Sequence, residues 1–227
     1  MVTEPLKNFK IFSGLSGKDM ALIYEATAPQ TLQFDKDVRV LNQGDPVQSI
    51  DFLAAGKMVS QKNHIDGHVQ LVNSYKPLSV INLEAAASHK GTSPFTVVTI
   101  TPCTIIRILY NRLIHNPHLP IYIKERLFRN IFAYMANDSI RFMNKSDVLS
   151  RRIVKDRILI FLSIVSERDD SNVIDIGMNQ SQFAQYLCVD RTTLTEAIGK
   201  LRKENKIECE GSKYTLNFIE YDEDRRP

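Results

Sequence analysis

The sequence predicts an α+β chain: an N-terminal antiparallel β domain, one long helix, and a C-terminal winged helix-turn-helix. Three observations carry that expectation. Short β-branched runs alternate with turn residues from about 31 to 110. An unbroken helical period occupies about 119–146. Two short helices around a tight turn, with a strand pair behind them, fill 179–216.

Residues 18–28 read as a short helix with Met20, Leu22 and Ile23 as its apolar members. The strand candidates are Val38–Leu41, Ile50–Leu53, Met58–Ser60, Val69–Val72, Thr96–Ile100 and Thr104–Ile108. Gly44-Asp45-Pro46, Gly56, Asp66-Gly67 and Lys76-Pro77 punctuate them. Even spacing with a two-residue Asp-Gly turn argues for an antiparallel sandwich or barrel.

After Asn116-Pro117 the period becomes helical, with no Gly and, past Pro120, no Pro up to 146. Such a helix would be about 40 Å long at 1.5 Å per residue. Its apolar residues form two stripes, Ile123, Leu127, Ile131 and Tyr134 on one, Phe128, Phe132, Met135 and Phe142 on the other. A helix apolar on two sides must be covered twice. The β domain can cover one side and a twin helix the other, which makes Ile123, Leu127, Phe128, Ile131 and Met135 the candidate dimer-helix residues. A single core helix in a monomer is the alternative. Asn144-Lys145-Ser146-Asp147 reads as a polar break and hinge. A further helix places Ile153, Ile158, Leu159, Phe161, Leu162 and Val165 inward and ends in the solvated run 167–172. The expected division is 1–115, 116–146 and 147–227.

The chain has 227 residues, 43% apolar and 24% charged, which is ordinary for a soluble globular protein. It contains no apolar run near the roughly 20 residues that cross a bilayer. Its start, Met1-Val2-Thr3-Glu4-Pro5, carries no signal core, so a cytoplasmic location is expected. Cys103, Cys188 and Cys209 stand far apart, so neither a disulfide framework nor a structural zinc site is expected, and no metal or other cofactor is expected. No nucleophile–base pattern, phosphate-cradling glycine loop or His-Glu-x-x-His suggests an enzyme. The net charge of +3 is unevenly placed: residues 1–144 carry +4 and residues 145–227 carry −1. Bulk charge therefore gives the C-terminal half no affinity for nucleic acid, and any such role must rest on local arrangement.

That arrangement is present from Met178 to Ile207. Asn179 can cap a first helix with Gln182 as its capping-box partner. Phe183, Ala184 and Leu187 point inward, and small Ala184 permits a close crossing. Cys188-Val189-Asp190 forms the turn, and Asp190 caps a second helix anchored by Leu194, Ile198 and Leu201. Its opposite face holds Arg191, Thr192, Thr195, Glu196 and Gly199. Arg, Glu and Thr can each read base edges in a major groove, so Arg191, Thr192, Thr195 and Glu196 are the candidate base contacts. Gln180, Thr193, Lys200, Arg202 and Lys203 are the candidate phosphate contacts. Residues 191–206 hold five basic and two acidic side chains. Residues 207–216 read as two short strands around Gly211-Ser212, a wing. A helical hairpin without a DNA role is the competing interpretation.

These residues resemble the cAMP receptor protein/FNR family over nearly the whole chain. Phe12-Ser13-Gly14-Leu15-Ser16 is similar to the family's opening. Leu41-Asn42-Gln43-Gly44-Asp45 and Ile50-Asp51-Phe52-Leu53-Ala54-Ala55-Gly56 resemble its first β-roll strands. Arg191-Thr192-Thr193-Leu194-Thr195 with Lys200–Ile207 resembles its recognition helix. The resemblance implies a cyclic-nucleotide-binding-like β-roll sensor, a homodimer joined by the long helix, a winged helix-turn-helix on near-palindromic duplex DNA, and contact with RNA polymerase, activating or repressing transcription. A β-roll ligand-binding adaptor that does not bind DNA is the alternative function.

The departures bear on the effector. The family's phosphate-binding cassette has Gly-Glu near its start and Arg-Ser near its end; here those places align with Asn82, Leu83, Ser93 and Pro94. Without the Arg there is no forked partner for a cyclic phosphate. Glu84 is one position off and, in a strand, would face the wrong way. A small effector other than a cyclic nucleotide is expected, with Leu83, Glu84, Ala85, Pro94, Phe95, Tyr134 and Asp138 as the candidate pocket. A collapsed, ligand-free core is the alternative there. The family's iron–sulfur cysteines are missing before Cys103, and five scattered histidines, including His64 and His68 beside the Asp66-Gly67 turn, make haem ligation unexpected. Cys188 stands where the family usually has Gly at positive φ.

Overall fold

The computed structural model describes residues 4–217 apart from Asp66 and His68; Glu4 is described only as backbone. The expected turn at Asp66-Gly67 and the histidine at 68 therefore fall partly outside the described residues. The chain divides into two compact units between Ser139 and Ile140.

In the first unit, α1 (Glu4–Lys7) and a 3-10 turn (Lys10–Phe12) lead into α2 (Gly17–Thr27), which opens on a capping box between Ser16 and Asp19. Eight strands follow: β1 (Gln30–Phe34), β2 (Arg39–Leu41), β3 (Ser49–Ala55), β4 (Met58–Asn63), β5 (Val69–Tyr75), β6 (Val80–Ile81), β7 (Thr96–Thr99) and β8 (Cys103–Leu109). They form two antiparallel four-stranded sheets, β1-β8-β3-β6 and β2-β7-β4-β5. The alternation of side chains across a strand explains the first sheet's composition. Ile50, Phe52, Ile106 and Ile108 join a core with Phe9, Phe12, Met20 and Ile23 of the helical layer. Leu53, Ile81 and Ile105 face the other way and meet Met58 and Val97 of the second sheet. A strand covered on both faces reads as a continuous apolar run, which is why Ile50–Leu53 and Thr104–Ile108 were conspicuous. At Gly56, φ is +91° and a side chain would collide with the Pro102 carbonyl, so only glycine fits between β3 and β4.

Two charges interrupt these runs, and they find each other. Asp51 and Arg107 are opposite across β3 and β8. The guanidinium forks onto the carboxylate, Nε to Oδ1 at 2.7 Å and Nη2 to Oδ2 at 2.8 Å. Burial pushes the Asp51 carboxyl above its ordinary range, and the fork from Arg107 opposes that.

The segment expected to continue as a strand after β6 is instead a short helix, α3 (Leu83–Ala87). Asn82 starts it at φ +68°, a conformation that Gly adopts freely and Asn tolerates. This corrects the reading of Glu84: it lies on α3 and is exposed.

α4 (Tyr110–Ile114) precedes α5 (Ile121–Ser150), which is longer than expected at its C-terminus. The expected hinge at 144–147 is helical. Polarity alone does not end a helix, and neither Gly nor Pro occurs between 121 and 150. The break falls at 151–153. A second correction concerns the dimer-helix residues. Ile123, Leu127 and Ile131 are buried in the first unit's own core, with Met135 half-buried against it, so those three are unavailable to a partner. Phe128 is 66% exposed and Phe132 68%.

The second unit contains α6 (Val154–Asp169), β9 (Val173–Asp175), α7 (Gln180–Tyr186), α8 (Arg191–Lys203), β10 (Ile207–Glu210) and β11 (Lys213–Leu216). β10, β11 and β9 form one antiparallel sheet. Ile153, expected to face inward, caps α6 and is exposed.

Candidate nucleic-acid interface

The aromatic cluster behind α7 and α8 fixes their position. Phe161 of α6 packs against Phe183 and Tyr186 in tilted contacts, at 5.2 and 5.1 Å between ring centroids, and Phe183 meets Tyr214 of β11 at 5.8 Å. Asn179 accepts from the Gln182 amide at 2.9 Å, while the Asn179 amide donates to the Gln182 side chain at 3.0 Å. α7 ends with Cys188 N–H donating to the Gln185 carbonyl and Val189 N–H to the Ala184 carbonyl. That is the Schellman pattern, and Cys188 holds its left-handed position at φ +55°.

Asp190 then caps α8. It accepts from the Thr193 amide at 2.7 Å and the Thr193 hydroxyl at 2.6 Å. These hydrogen bonds from Thr193 hold the Asp190 carboxyl below its usual range. They also remove Thr193 from the expected phosphate contacts, because its hydroxyl proton is already given to Asp190. Leu194, Ala197, Ile198 and Leu201 are buried; Arg191, Thr192, Thr195 and Glu196 are exposed on the other side. Thr195 donates its hydroxyl to the Arg191 carbonyl at 2.8 Å, which leaves its methyl as the outward group. Lys200, Arg202 and Lys203 are exposed in the last turn, and Gln180 is half-buried at the start of α7.

Two anchors were not apparent from the sequence. Arg157 of α6 donates to the Arg151 carbonyl at 2.7 Å and to the Leu187 carbonyl at 2.9 Å, tying the end of α5 to the end of α7. Lys145 of α5 lies 4.0 Å from the centre of the Tyr186 ring. It is only 8% exposed, and burial pulls its ammonium down to about 8. A lysine placed in a polar run gave no signal of either contact.

The expected effector residues divide. Glu84, Ala85 and Pro94 border a groove of about 400 Å³ with Gln43, Gly44, Ser88, Lys90, Thr92 and Ser93. Leu83 is fully buried in the helical-layer core. Tyr134 exchanges hydrogen bonds with the Val80 backbone at 3.3 Å, Phe95 is half-buried and Asp138 is buried; none of these borders that groove. The candidate pocket is therefore divided, and several polar side chains line the groove. Lys90 is its one cationic side chain. Among the described residues no group of His, Cys, Asp or Glu could hold a metal ion, and no helix is long and apolar enough to cross a membrane.

Residues 31–115 match the cyclic nucleotide-binding domain. The chain is similar in structure to CLP, the c-di-GMP-responsive global regulator of Xanthomonas campestris, at a TM-score of 0.69 and 14% identity, covering 90% of this chain and 100% of that one. The corresponding values for FixK2 from Bradyrhizobium japonicum are 0.65, 16%, 84% and 93%. For the catabolite activator protein of Thermus thermophilus they are 0.53, 15%, 92% and 93%. The chain shares the fold of these three proteins. In that fold, strands β1–β8 form the β-roll, and α7 and α8 are the helix-turn-helix. No curated protein sequence matches the chain.

Proposed function

We propose that this protein is a sequence-specific DNA-binding transcription regulator that acts as a cytoplasmic homodimer, with 1–115 as sensor, 116–146 as coupling helix and 147–227 as DNA-binding domain. The observation that carries this reading is the outward face of α8. Arg191, Thr192, Thr195 and Glu196 stand opposite a buried ridge on a helix whose turn and both flanking caps are fully formed. Arg191 would fork onto guanine, Glu196 would accept from cytosine, and the Thr195 methyl would touch a thymine. Lys200, Arg202, Lys203 and Gln180 would hold phosphates, and the β10–β11 hairpin would serve as the wing.

An apolar stripe of α5, exposed at Ile121, Phe128 and Phe142 and half-buried at Met135, supports dimerisation. Ile121, Phe128, Met135 and Phe142 recur every seven residues, the period of a two-stranded seam. Two reading helices would then enter successive major grooves about 34 Å apart on a near-palindromic operator. RNA polymerase is the expected protein partner. The groove beside α3 would take a small effector other than a cyclic nucleotide, because its lining offers Lys90 but no arginine fork. Such an effector can shift the DNA-binding equilibrium by no more than its differential affinity for the two states.

The test is selection of duplexes from a random-sequence library, followed by binding across a salt titration. A selected near-palindrome with steeply salt-dependent affinity is expected. Failure to enrich any duplex would favour the adaptor reading. For the groove, calorimetric titration with cAMP should show no micromolar binding.

A further inference from the structure

The outward face of α8 has a gap at its centre. At 100° per residue, Gly199 lies opposite the buried ridge of Leu194, Ala197, Ile198 and Leu201, one turn after Thr195 and one turn before Lys203. A glycine inside a helix is unfavourable relative to alanine, because it loses more backbone freedom on folding. This protein's own fold does not ask for one there. Gly199 is not in the left-handed region, and a Cβ built on it would meet no atom within 4 Å beyond its chain neighbours and its own helix backbone. The contrast with Gly56, where both conformation and space demand glycine, is direct. A residue that weakens its helix and spares no contact within the chain makes sense if something outside comes close. The exposed cations Lys200, Arg202 and Lys203 beside it favour an anionic visitor.

We propose that Gly199 is a close-approach position, where the bare α8 backbone seats against the sugar-phosphate wall of a DNA major groove. This rests on the DNA-binding reading and deepens it. The missing side chain sets how far the helix sinks, and so how far Arg191 and Glu196 reach toward base edges. Any side chain at 199 would hold the helix away, and a longer one would hold it further.

The experiment compares the full-length protein with its Gly199→Ala and Gly199→Leu variants. The probe is a duplex that the unaltered protein selects from a random library. Affinity, unfolding temperature and molecular mass in solution are measured for each. Both substitutions introduce strong helix formers into open space, so unfolding temperature should hold or rise and mass should stay unchanged. Affinity should fall about tenfold for Ala and about a hundredfold for Leu, the scale of one or two damaged base-pair contacts. Undiminished affinity in Gly199→Leu would overturn the proposal while leaving the DNA-binding reading intact. A lowered unfolding temperature would show that the fold itself needs this glycine, and an altered mass would assign it to a second copy of the chain; either also overturns it. If the unaltered protein selects no duplex, the parent reading fails and this proposal falls with it.

Discussion

Cys188 shows how one residue can fit a motif and strain it at once. Its amide and that of Val189 complete the Schellman pattern, yet its side chain occupies a left-handed position that costs a non-glycine residue on the order of 1 kcal/mol. Cys188→Gly should therefore raise the stability of the second unit by up to about 1 kcal/mol, read as a few degrees in calorimetric unfolding. No gain would mean that the thiol makes contacts worth as much as the strain. Arg191 makes the opposite test, since it is exposed and its loss should spare the fold. Arg191→Ala should weaken binding to the selected duplex by about tenfold to a hundredfold and relax preference at one base pair. An equal loss across all duplexes would instead make Arg191 a phosphate contact. The positive φ at 188 was legible because the family resemblance put Gly there. The loss of Thr193 to Asp190 was not, since a hydroxyl's partner depends on its rotamer.

At the scale of elements, α5 is the clearest case of a pattern read correctly and assigned wrongly. Two apolar stripes were visible in the sequence, but five residues drawn from both were given to one seam. Packing separates them: Ile123, Leu127 and Ile131 serve the β domain, while Phe128 and Phe132 face outward. Phe128→Ser with Phe132→Ser should leave the first unit folded and convert a dimer to a monomer in light scattering, whereas Leu127→Ser should unfold that unit. A dimer that survives the double substitution would place the seam elsewhere. Arg157 is the corresponding anchor in the second unit. Its guanidinium supplies donors to two carbonyls at helix ends, Arg151 and Leu187. Arg157→Met should destabilise that unit by about 3–6 kcal/mol, the cost of two charge-assisted hydrogen bonds, measured by urea unfolding.

At the scale of the whole molecule, pH tests the buried groups of both units. Burial pushes the phenols of Tyr75, Tyr186 and Tyr214 up to about 12 from an ordinary 10. Between those values the unfolded chain has lost protons that the folded chain keeps, so stability falls as pH rises, by about 1.4 kcal/mol per pH unit per group. Lys145 acts in the other direction. Its folded value of about 8 lies below the unfolded 10.5, so in that window the unfolded chain binds more protons and stability rises with pH. The urea midpoint of the second unit should climb from pH 8 toward 10 and then drop. Lys145→Met should remove the climb, and Tyr214→Phe should reduce the drop. A profile unchanged by Lys145→Met would mean that the Tyr186 ring fully offsets the burial of the ammonium.

The sequence by itself determined what depends on neighbours along the chain. Strand alternation, the caps at Asn179 and Asp190, the turn between α7 and α8 and the outward set Arg191, Thr192, Thr195 and Glu196 all follow from periodicity and local hydrogen bonding. Tertiary structure alone decided what depends on distant residues meeting. It paired Asp51 with Arg107, set Lys145 over Tyr186, turned the cassette into α3, carried α5 through its polar run and chose which stripe of that helix stays uncovered. A backbone conformation is selected within a few residues, but burial is set by which surfaces close on one another, and no short stretch of sequence contains both sides of that contact.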